Sequence, residues 1–233
     1  MKNMIKDTLI LFVITLVAGV LLGFVNEVTK EPIARYEAEK KSLACSEVFY
    51  EEDENGEWKE TVSLVFDAMS DAEVQALYES LADKFTGNIV VDEIYRAYSV
   101  PASAESTADG TATGLGDVAS EEKFYGYVIG ITTKEGYNGE ISFYVGITAD
   151  GTLKGVSLLQ IGETPGLGMN AESVLLPQFR DVEAGSFQVV KTGAVGPDEI
   201  DAISGATVTS EAITGGVNAA YECYALLQEG GTL

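Results

Sequence analysis

The stretch FYGYVIGITTKEGYNGEISFYVGITADGTLKGVSLLQI, residues 124–161, decides the fold of this chain. Three segments within it, FYGYVIGITT, GEISFYVGITAD and GTLKGVSLLQI, are rich in Tyr, Val and Ile, which favour strands that pack on a half-buried sheet. Asp150 and Gly151 separate the second and third segments, and this pair is typical of a tight hairpin turn. The stretch therefore predicts an antiparallel meander.

Helices are predicted on both sides of this meander in the sequence. Ser70 and Glu73 have the spacing of a capping box, which predicts a helix over about residues 71–85. From Ser210 onward apolar residues recur at helical spacing and predict an amphipathic helix that covers the sheet: Ile213, Val217, Ala220, Tyr224 and Leu227. SFQVVKTG, residues 186–193, predicts one more strand. The expected class is α+β, an antiparallel sheet flanked by helices.

Composition narrows the possible functions. The chain has 233 residues, of which 46% are hydrophobic, so a packed core is expected. A net charge of -23 repels phosphate backbones, and nucleic-acid binding is therefore not expected. The chain has no histidine and only two cysteines, Cys45 and Cys223, which disfavours zinc, thiolate-iron and Ser-His-Asp chemistry. No metal site is predicted, and whether the two cysteines pair stays open.

The N-terminal region predicts a membrane anchor. Residues 8–25 form an uncharged run of 18, close to the roughly 20 residues that a helix needs to cross a bilayer. The alternatives are a cleaved signal peptide and a buried core helix, but the run is long for a signal core and no A-x-A cleavage pattern follows it. Lys2 and Lys6 precede the run, which places residues 1–7 in the cytoplasm and the rest of the chain outside the cell membrane.

Beyond the single-pass anchor the sequence predicts two further parts. Pro32 suits the first turn of a helix, so a stalk helix is expected over residues 26–44. Residues 45–233 would then form the extracytoplasmic domain. Within it, residues 99–120 are small and polar and predict a flexible loop.

Two motifs are candidates for binding. GETPGLGMN, residues 162–170, has three glycines and a proline, which predict a tight loop whose backbone approaches a ligand closely. A plain connecting loop is the alternative. DAISGATVTSEAI, residues 201–213, places four hydroxyl side chains where a turn leads into a helix, and helix N-termini bind phosphate. Here the alternative is simple capping of the helix by Thr209 or Ser210.

An apolar anchor, GYNGEISFYVGI, ETPGLG and DAISGATVTS follow one another in an order that resembles the FMN-binding domain of the G subunit of Rnf complexes. The C subunit of the sodium-translocating NADH:quinone oxidoreductase is a close relative in this family. The resemblance covers nearly the whole chain, least well in residues 99–120. It implies that a flavin transferase reads the pattern D-x-x-S/T-G-A-T and links FMN, taken from FAD, through its phosphate to the last threonine. The matching residues are Asp201, Ser204, Gly205, Ala206 and Thr207, and Thr207 is the predicted acceptor of one covalent FMN.

The resemblance also implies how the flavin ring is held. Four residues of the glycine-rich loop are expected to line the ring: Glu163, Thr164, Gly166 and Leu167. The polar groups of Glu163 and Thr164 would hydrogen-bond ring heteroatoms. Lys191 is expected near the ring as a counter-charge, with a solvated strand residue as the alternative.

The implied function is electron transfer within a membrane-bound, ion-translocating ferredoxin:NAD+ oxidoreductase, the Rnf complex. The implied partners are its other membrane and iron-sulfur subunits, with the flavin transferase needed for maturation. A stand-alone membrane-anchored flavoprotein and the C subunit of the quinone reductase remain alternatives. The second alternative stays open because Ile161 and Gly162 stand where relatives often have a polar residue or histidine. A flavin-free structural domain would require the D-x-x-S-G-A-T match to be accidental.

Overall fold

The computed structural model describes residues 2–52, 58–60, 62–81, 84, 88–100 and 123–230. It divides into two compact units, Met1–Leu43 and Ala44–Leu233. The flexible loop expected at residues 99–120 lies outside the described residues, except for Ser99 and Val100.

Helix α1 spans Lys2–Glu47 and contains the predicted anchor and the predicted stalk as one continuous helix. An 18-residue window within it reaches a mean hydropathy of 2.8 and is not buried by any other part of the protein, so the helix is a candidate membrane span. Pro32 lies inside α1 rather than in the first turn of a separate stalk helix. Proline lacks one backbone donor, and the helix-forming residues on both sides continue the helix across that gap.

The domain is built on a six-stranded antiparallel sheet in the order β3-β4-β5-β6-β7-β8. Its strands are β3 (Leu64–Ala68), β4 (Ile89–Ser99), β5 (Lys123–Gly136), β6 (Gly139–Thr148), β7 (Thr152–Ile161) and β8 (Val182–Glu183). The predicted meander is therefore confirmed as β5-β6-β7. Gly151 adopts φ 89° in the turn between β6 and β7, a conformation that glycine takes without strain.

Two short strand pairs accompany the main sheet. β1 (Glu51–Glu52) pairs antiparallel with β2 (Trp58–Lys59), and β9 (Gln188–Val190) pairs parallel with β10 (Glu199–Asp201). The strand predicted at residues 186–193 is present as β9, shortened to three residues.

The helices confirm most of the sequence expectations. Helix α2 spans Asp71–Ser80 and begins with the predicted capping box of Ser70 and Glu73. The rest of its predicted length, to residue 85, is not helical at Leu81 and otherwise lies mainly outside the described residues. Helix α3 (Ala171–Val174) lies between two 3₁₀ turns, and helix α4 (Thr207–Gln228) closes the domain, three residues earlier than the periodicity from Ser210 indicated.

Both faces of the sheet carry buried side chains. Phe143 and Val145 of β6 pack in the core that α4 covers, and a β-carbon on Gly216 of α4 would lie 2.5 Å from the Phe143 ring. Successive side chains of a strand point to opposite faces, so Tyr144 belongs to a second cluster. That cluster contains the end of α1 and the residues that follow it: Ala44, Cys45, Val48, Phe49, Ala97, Val128 and Tyr144. The fold is α+β, as expected.

The two cysteines are buried as free thiols in different clusters. Cys45 packs in the cluster with Tyr144, whereas Cys223 of α4 packs in the core on the opposite face of the sheet. Burial raises the pKa of the Cys223 thiol to about 12. The sheet therefore separates the two cysteines.

Candidate functional site

The predicted phosphate motif forms the entry into helix α4. Thr207 is the first residue of the helix and is partly exposed, and Ala206 before it is the N-cap residue. Gly205 adopts φ 77°, the left-handed conformation that lets the exposed turn at Ser204 and Gly205 reverse direction just before the helix. The helix start thus presents the Thr207 side chain at the surface of the domain.

Neither predicted capping residue caps this helix. Ser210 lies one turn inside α4, where its hydroxyl donates to the Ala206 carbonyl at 3.0 Å and accepts from the Ile203 amide at 3.0 Å. Ser210 therefore holds the turn from inside the protein. Thr209 is 1% exposed, and its hydroxyl has no hydrogen-bond partner among the described residues. Because α4 has no side-chain hydrogen bond at its N-cap in this described region, its first backbone amides keep their capacity to bind an anion.

The glycine-rich loop packs directly against the start of α4. Its backbone closes on itself, since the amides of Leu167 and Met169 both donate to the Thr164 carbonyl, at 3.1 and 3.3 Å. Gly168 is buried, and a β-carbon there would lie 2.7 Å from both the Glu163 β-carbon and the Thr209 hydroxyl oxygen. The two motifs are therefore in contact.

Glu163 is fixed inside the protein. Its side chain is 4% exposed, and its Oε1 accepts from the Asn138 backbone amide at 3.2 Å. The Asn138 side chain in turn donates to the Gly162 carbonyl at 2.7 Å. These bonds tie the turn between β5 and β6 to the glycine-rich loop. One oxygen that was expected to reach a flavin ring thus has a partner within the chain, and ring contact by Glu163 stays a prediction.

These three segments enclose a cavity of about 530 Å³. This volume lies in the range of about 300 to 1,000 Å³ that is typical of small-molecule sites. The hairpin turn, the glycine-rich loop and the start of α4 supply its lining: Tyr137; Glu163, Thr164, Leu167 and Gly168; Gly205, Ala206, Thr207, Val208 and Thr209. Two motifs far apart in sequence therefore form one site.

The other predicted residues lie beside this cavity or away from it. Ser204 and Gly166 are sequence neighbours of residues that line the cavity, and Gly166 adopts φ 77°. Lys191 is exposed and directly follows β9, and it is not among the residues that line the cavity. A role for Lys191 as a counter-charge stays a prediction.

Asp201 stabilises the loop between β9 and β10. Its Oδ1 accepts from the Ala194 amide at 3.0 Å, and its backbone is bound on both sides by the Gln178 side chain. Glu199 has a similar role, and the backbone amides of Val195 and Gly196 lower the pKa of its carboxyl. Both acidic residues fix the chain that leads into the phosphate motif.

Tyr137 and Thr209 line the cavity although the sequence motifs predicted neither as a flavin contact. Tyr137 is 74% exposed at the tip of the β5-β6 hairpin. The signal in the sequence was an aromatic residue in the turn GYNG between two strands. In the part of the chain that the structure describes, no group of three or more His, Cys, Asp or Glu side chains could hold a metal ion.

Comparisons with known proteins agree with this geometry. Residues 136–222 match the model of the FMN-binding domain family, and residues 1–48 match that of the RnfG N-terminal region. The chain is 29% identical to the G subunit of the Na(+)-translocating ferredoxin:NAD(+) oxidoreductase complex of Acetobacterium woodii, over 96% of this chain and 92% of that protein. It is 41% identical to the proton-translocating counterpart of Clostridium ljungdahlii over 43% of this chain, which spans 54% of that relative. The crystal structure of Shewanella oneidensis NqrC aligns with 18% identity and a TM-score of 0.44, over 71% of this chain and 82% of that one.

The fold and the site define an FMN-binding domain that follows a single long apolar helix. The two matched regions flank a site whose phosphate motif and glycine-rich loop are complete. The chain belongs to the family of G subunits of Rnf electron-transport complexes.

Proposed function

We propose that this chain is the electron-transfer subunit that carries covalent FMN in a membrane-bound, ion-translocating ferredoxin:NAD+ oxidoreductase. Thr207 carries the flavin through a phosphoester. The observation that carries the proposal is that Thr207 lines the same cavity as Thr164 and Leu167 of the glycine-rich loop. A flavin fixed at Thr207 would therefore have its ring within reach of that loop.

The start of α4 suits the phosphate of the flavin. A phosphodiester at Thr207 carries one negative charge, and the unpaired amides and the dipole of a 22-residue helix favour an anion at this end. The buried hydroxyl of Thr209 adds a polar group without a partner among the described residues. These features support phosphate attachment without a basic side chain in the lining of the cavity.

The chemistry of attachment requires no catalytic residue in this chain. The Thr207 oxygen forms a bond to the FMN phosphorus of FAD, the pyrophosphate bond breaks, AMP leaves, and the hydroxyl proton passes to solvent. A flavin transferase would supply the activation that a chain without histidine does not provide. Once bound, the flavin accepts and releases electrons, while this chain holds the phosphate and shields one side of the ring.

The wider setting follows from the family. The Acetobacterium woodii and Clostridium ljungdahlii relatives are named as subunits of oxidoreductase complexes, which supports other membrane and iron-sulfur subunits as partners. The apolar part of α1 would anchor this chain in the cell membrane, with residues 1–7 in the cytoplasm and the flavin domain outside. Purification of the native complex should recover those partners together with this chain. Isolation of a loaded chain without them would favour a stand-alone flavoprotein.

The attachment site can be tested by intact mass. Co-expression with a flavin transferase should raise the mass of the full-length protein by one FMN less one water. Thr207→Ala should abolish this increase, whereas Thr164→Ala should keep it, because Thr164 is another exposed threonine of the same cavity. A Thr207→Ala protein that retains the covalent flavin would exclude this site.

A further inference from the structure

Tyr137 occupies an unusual place for an aromatic side chain. It lies at the tip of the hairpin between β5 and β6 and lines the cavity that contains Thr207. Its side chain is 74% exposed, so most of its ring area is not used for packing within the domain. A large, exposed aromatic side chain at the mouth of a cavity is a ready contact surface for another flat ring.

The hairpin tip that carries Tyr137 is held rigidly. The backbone amide of Asn138 donates to Glu163 and its side chain donates to the Gly162 carbonyl, so the residue after Tyr137 is fixed at two points. The residue before it is fixed by close packing. A β-carbon on Gly136 would lie 2.4 Å from the Gly139 carbonyl oxygen and 2.8 Å from Glu163 Oε1.

The burial of Glu163 gives this arrangement its significance. A carboxyl group that is 4% exposed loses most of its hydration, and this cost must be offset by hydrogen bonds to the group. One such bond goes to the tip of the hairpin beside Tyr137. Glu163 therefore sets where the Tyr137 backbone lies relative to the glycine-rich loop.

We propose that the Tyr137 ring is the aromatic wall against which the flavin ring packs, and that Glu163 is the positioning residue that holds this wall through Asn138. The inference rests on the proposed flavin attachment at Thr207. It assigns a ring contact to a residue outside both motifs. It also gives Glu163 a role that differs from direct hydrogen bonding to ring heteroatoms.

Flavin fluorescence provides a direct test, because an electron-rich phenol ring in contact with a photoexcited flavin quenches its emission. The full-length protein is loaded with FMN by the flavin transferase, and the loading of each variant is measured by intact mass. The fluorescence yield per bound flavin is then compared with that of the parent. Tyr137→Ala should lose the quenching. Tyr36→Ala, which removes an exposed tyrosine of α1, is the matched control and should keep it.

Two substitutions at residue 163 test the positioning role. Glu163→Ala removes the acceptor for the Asn138 amide and should reduce quenching. Glu163→Gln keeps an oxygen acceptor and should restore it. A merely stabilising role of Glu163 would change the unfolding midpoint of the loaded protein and leave its flavin emission unchanged.

The outcomes separate this inference from the proposed function. A parent protein that gains no FMN mass would overturn the proposed function and this inference with it. A parent that gains FMN and a loaded Tyr137→Ala protein with unchanged emission would overturn the role of Tyr137 alone. In that case the exposed ring would be free to contact a protein partner instead.

Discussion

Gly168 packs against Thr209 so closely that a β-carbon at position 168 would lie 2.7 Å from the Thr209 hydroxyl oxygen. This contact joins the glycine-rich loop to the first turn of α4 and defines one side of the cavity. The loop has no room for a side chain at this point, because the same β-carbon would also lie 2.7 Å from that of Glu163. The contact therefore explains the glycine at position 168 by packing and not by backbone conformation.

Gly168→Ala should destabilise the domain. The added methyl group forces either the loop or the first turn of α4 to move, and such overpacking typically costs about 1 to 3 kcal/mol. Urea unfolding of the full-length protein in mild detergent measures the change. Gly162→Ala is the matched control in the same loop, since a β-carbon there meets nothing within 4 Å. Equal midpoints for the two variants would show that the loop is not packed on α4 in this way.

Thr164→Ala should make the bound flavin harder to reduce. Thr164 is exposed and lines the cavity, so its hydroxyl is available to the ring. A hydrogen bond to the partly anionic reduced flavin contributes about 1.5 to 3 kcal/mol, and its loss corresponds to a two-electron potential lower by about 30 to 65 mV. Redox titration of the loaded variant, with loading checked by mass, measures the shift. An unchanged potential together with an unchanged visible spectrum would exclude contact between Thr164 and the ring.

The stability of the domain should fall in alkaline solution. Burial and a hydrogen bond to Glu93 raise the pKa of the Tyr144 phenol far above its usual value of about 10. The contribution is complete below the pKa of the unfolded phenol. As the pH rises above about 10, the unfolded chain loses the proton first and the free energy of unfolding decreases.

Tyr144→Phe tests the origin of this alkaline loss. The variant should show a shallower decrease in the free energy of unfolding above pH 10, while Tyr95, whose phenol pKa is also raised mainly by burial, continues to contribute. Urea titrations at a series of pH values compare the two slopes. Identical slopes for the parent and Tyr144→Phe proteins would contradict the assignment.

The domain should be accessible from outside the cell. Lys2 and Lys6 before the apolar run predict a cytoplasmic N-terminus, so protease added to intact cells stripped of their outer layers should digest the chain after residue 30. A tag fused before Met1 should remain protected and serves as the internal control. Protection of the domain in intact cells, with digestion only after lysis, would reverse the topology.

Much of the architecture could be predicted from local patterns. The Tyr, Val and Ile segments and the Asp150-Gly151 turn predicted three adjacent strands, because strand propensity and turn chemistry act over a few neighbouring residues. Ser70 and Glu73 predicted the start of α2 for the same reason. The start of α4 was placed too late, because the periodicity of a helix identifies its buried face better than its first turn.

The sequence by itself determined the antiparallel meander, the apolar anchor, the closing helix and the two motifs that mark the family. Only the tertiary structure decided that these motifs share one cavity, that Tyr137 lies beside them, and that Glu163 is held by Asn138. It also decided that Cys45 and Cys223 lie on opposite faces of the sheet. The physical reason is that strand and helix signals depend on residues close in sequence, whereas a cavity and a buried carboxyl depend on how distant segments pack.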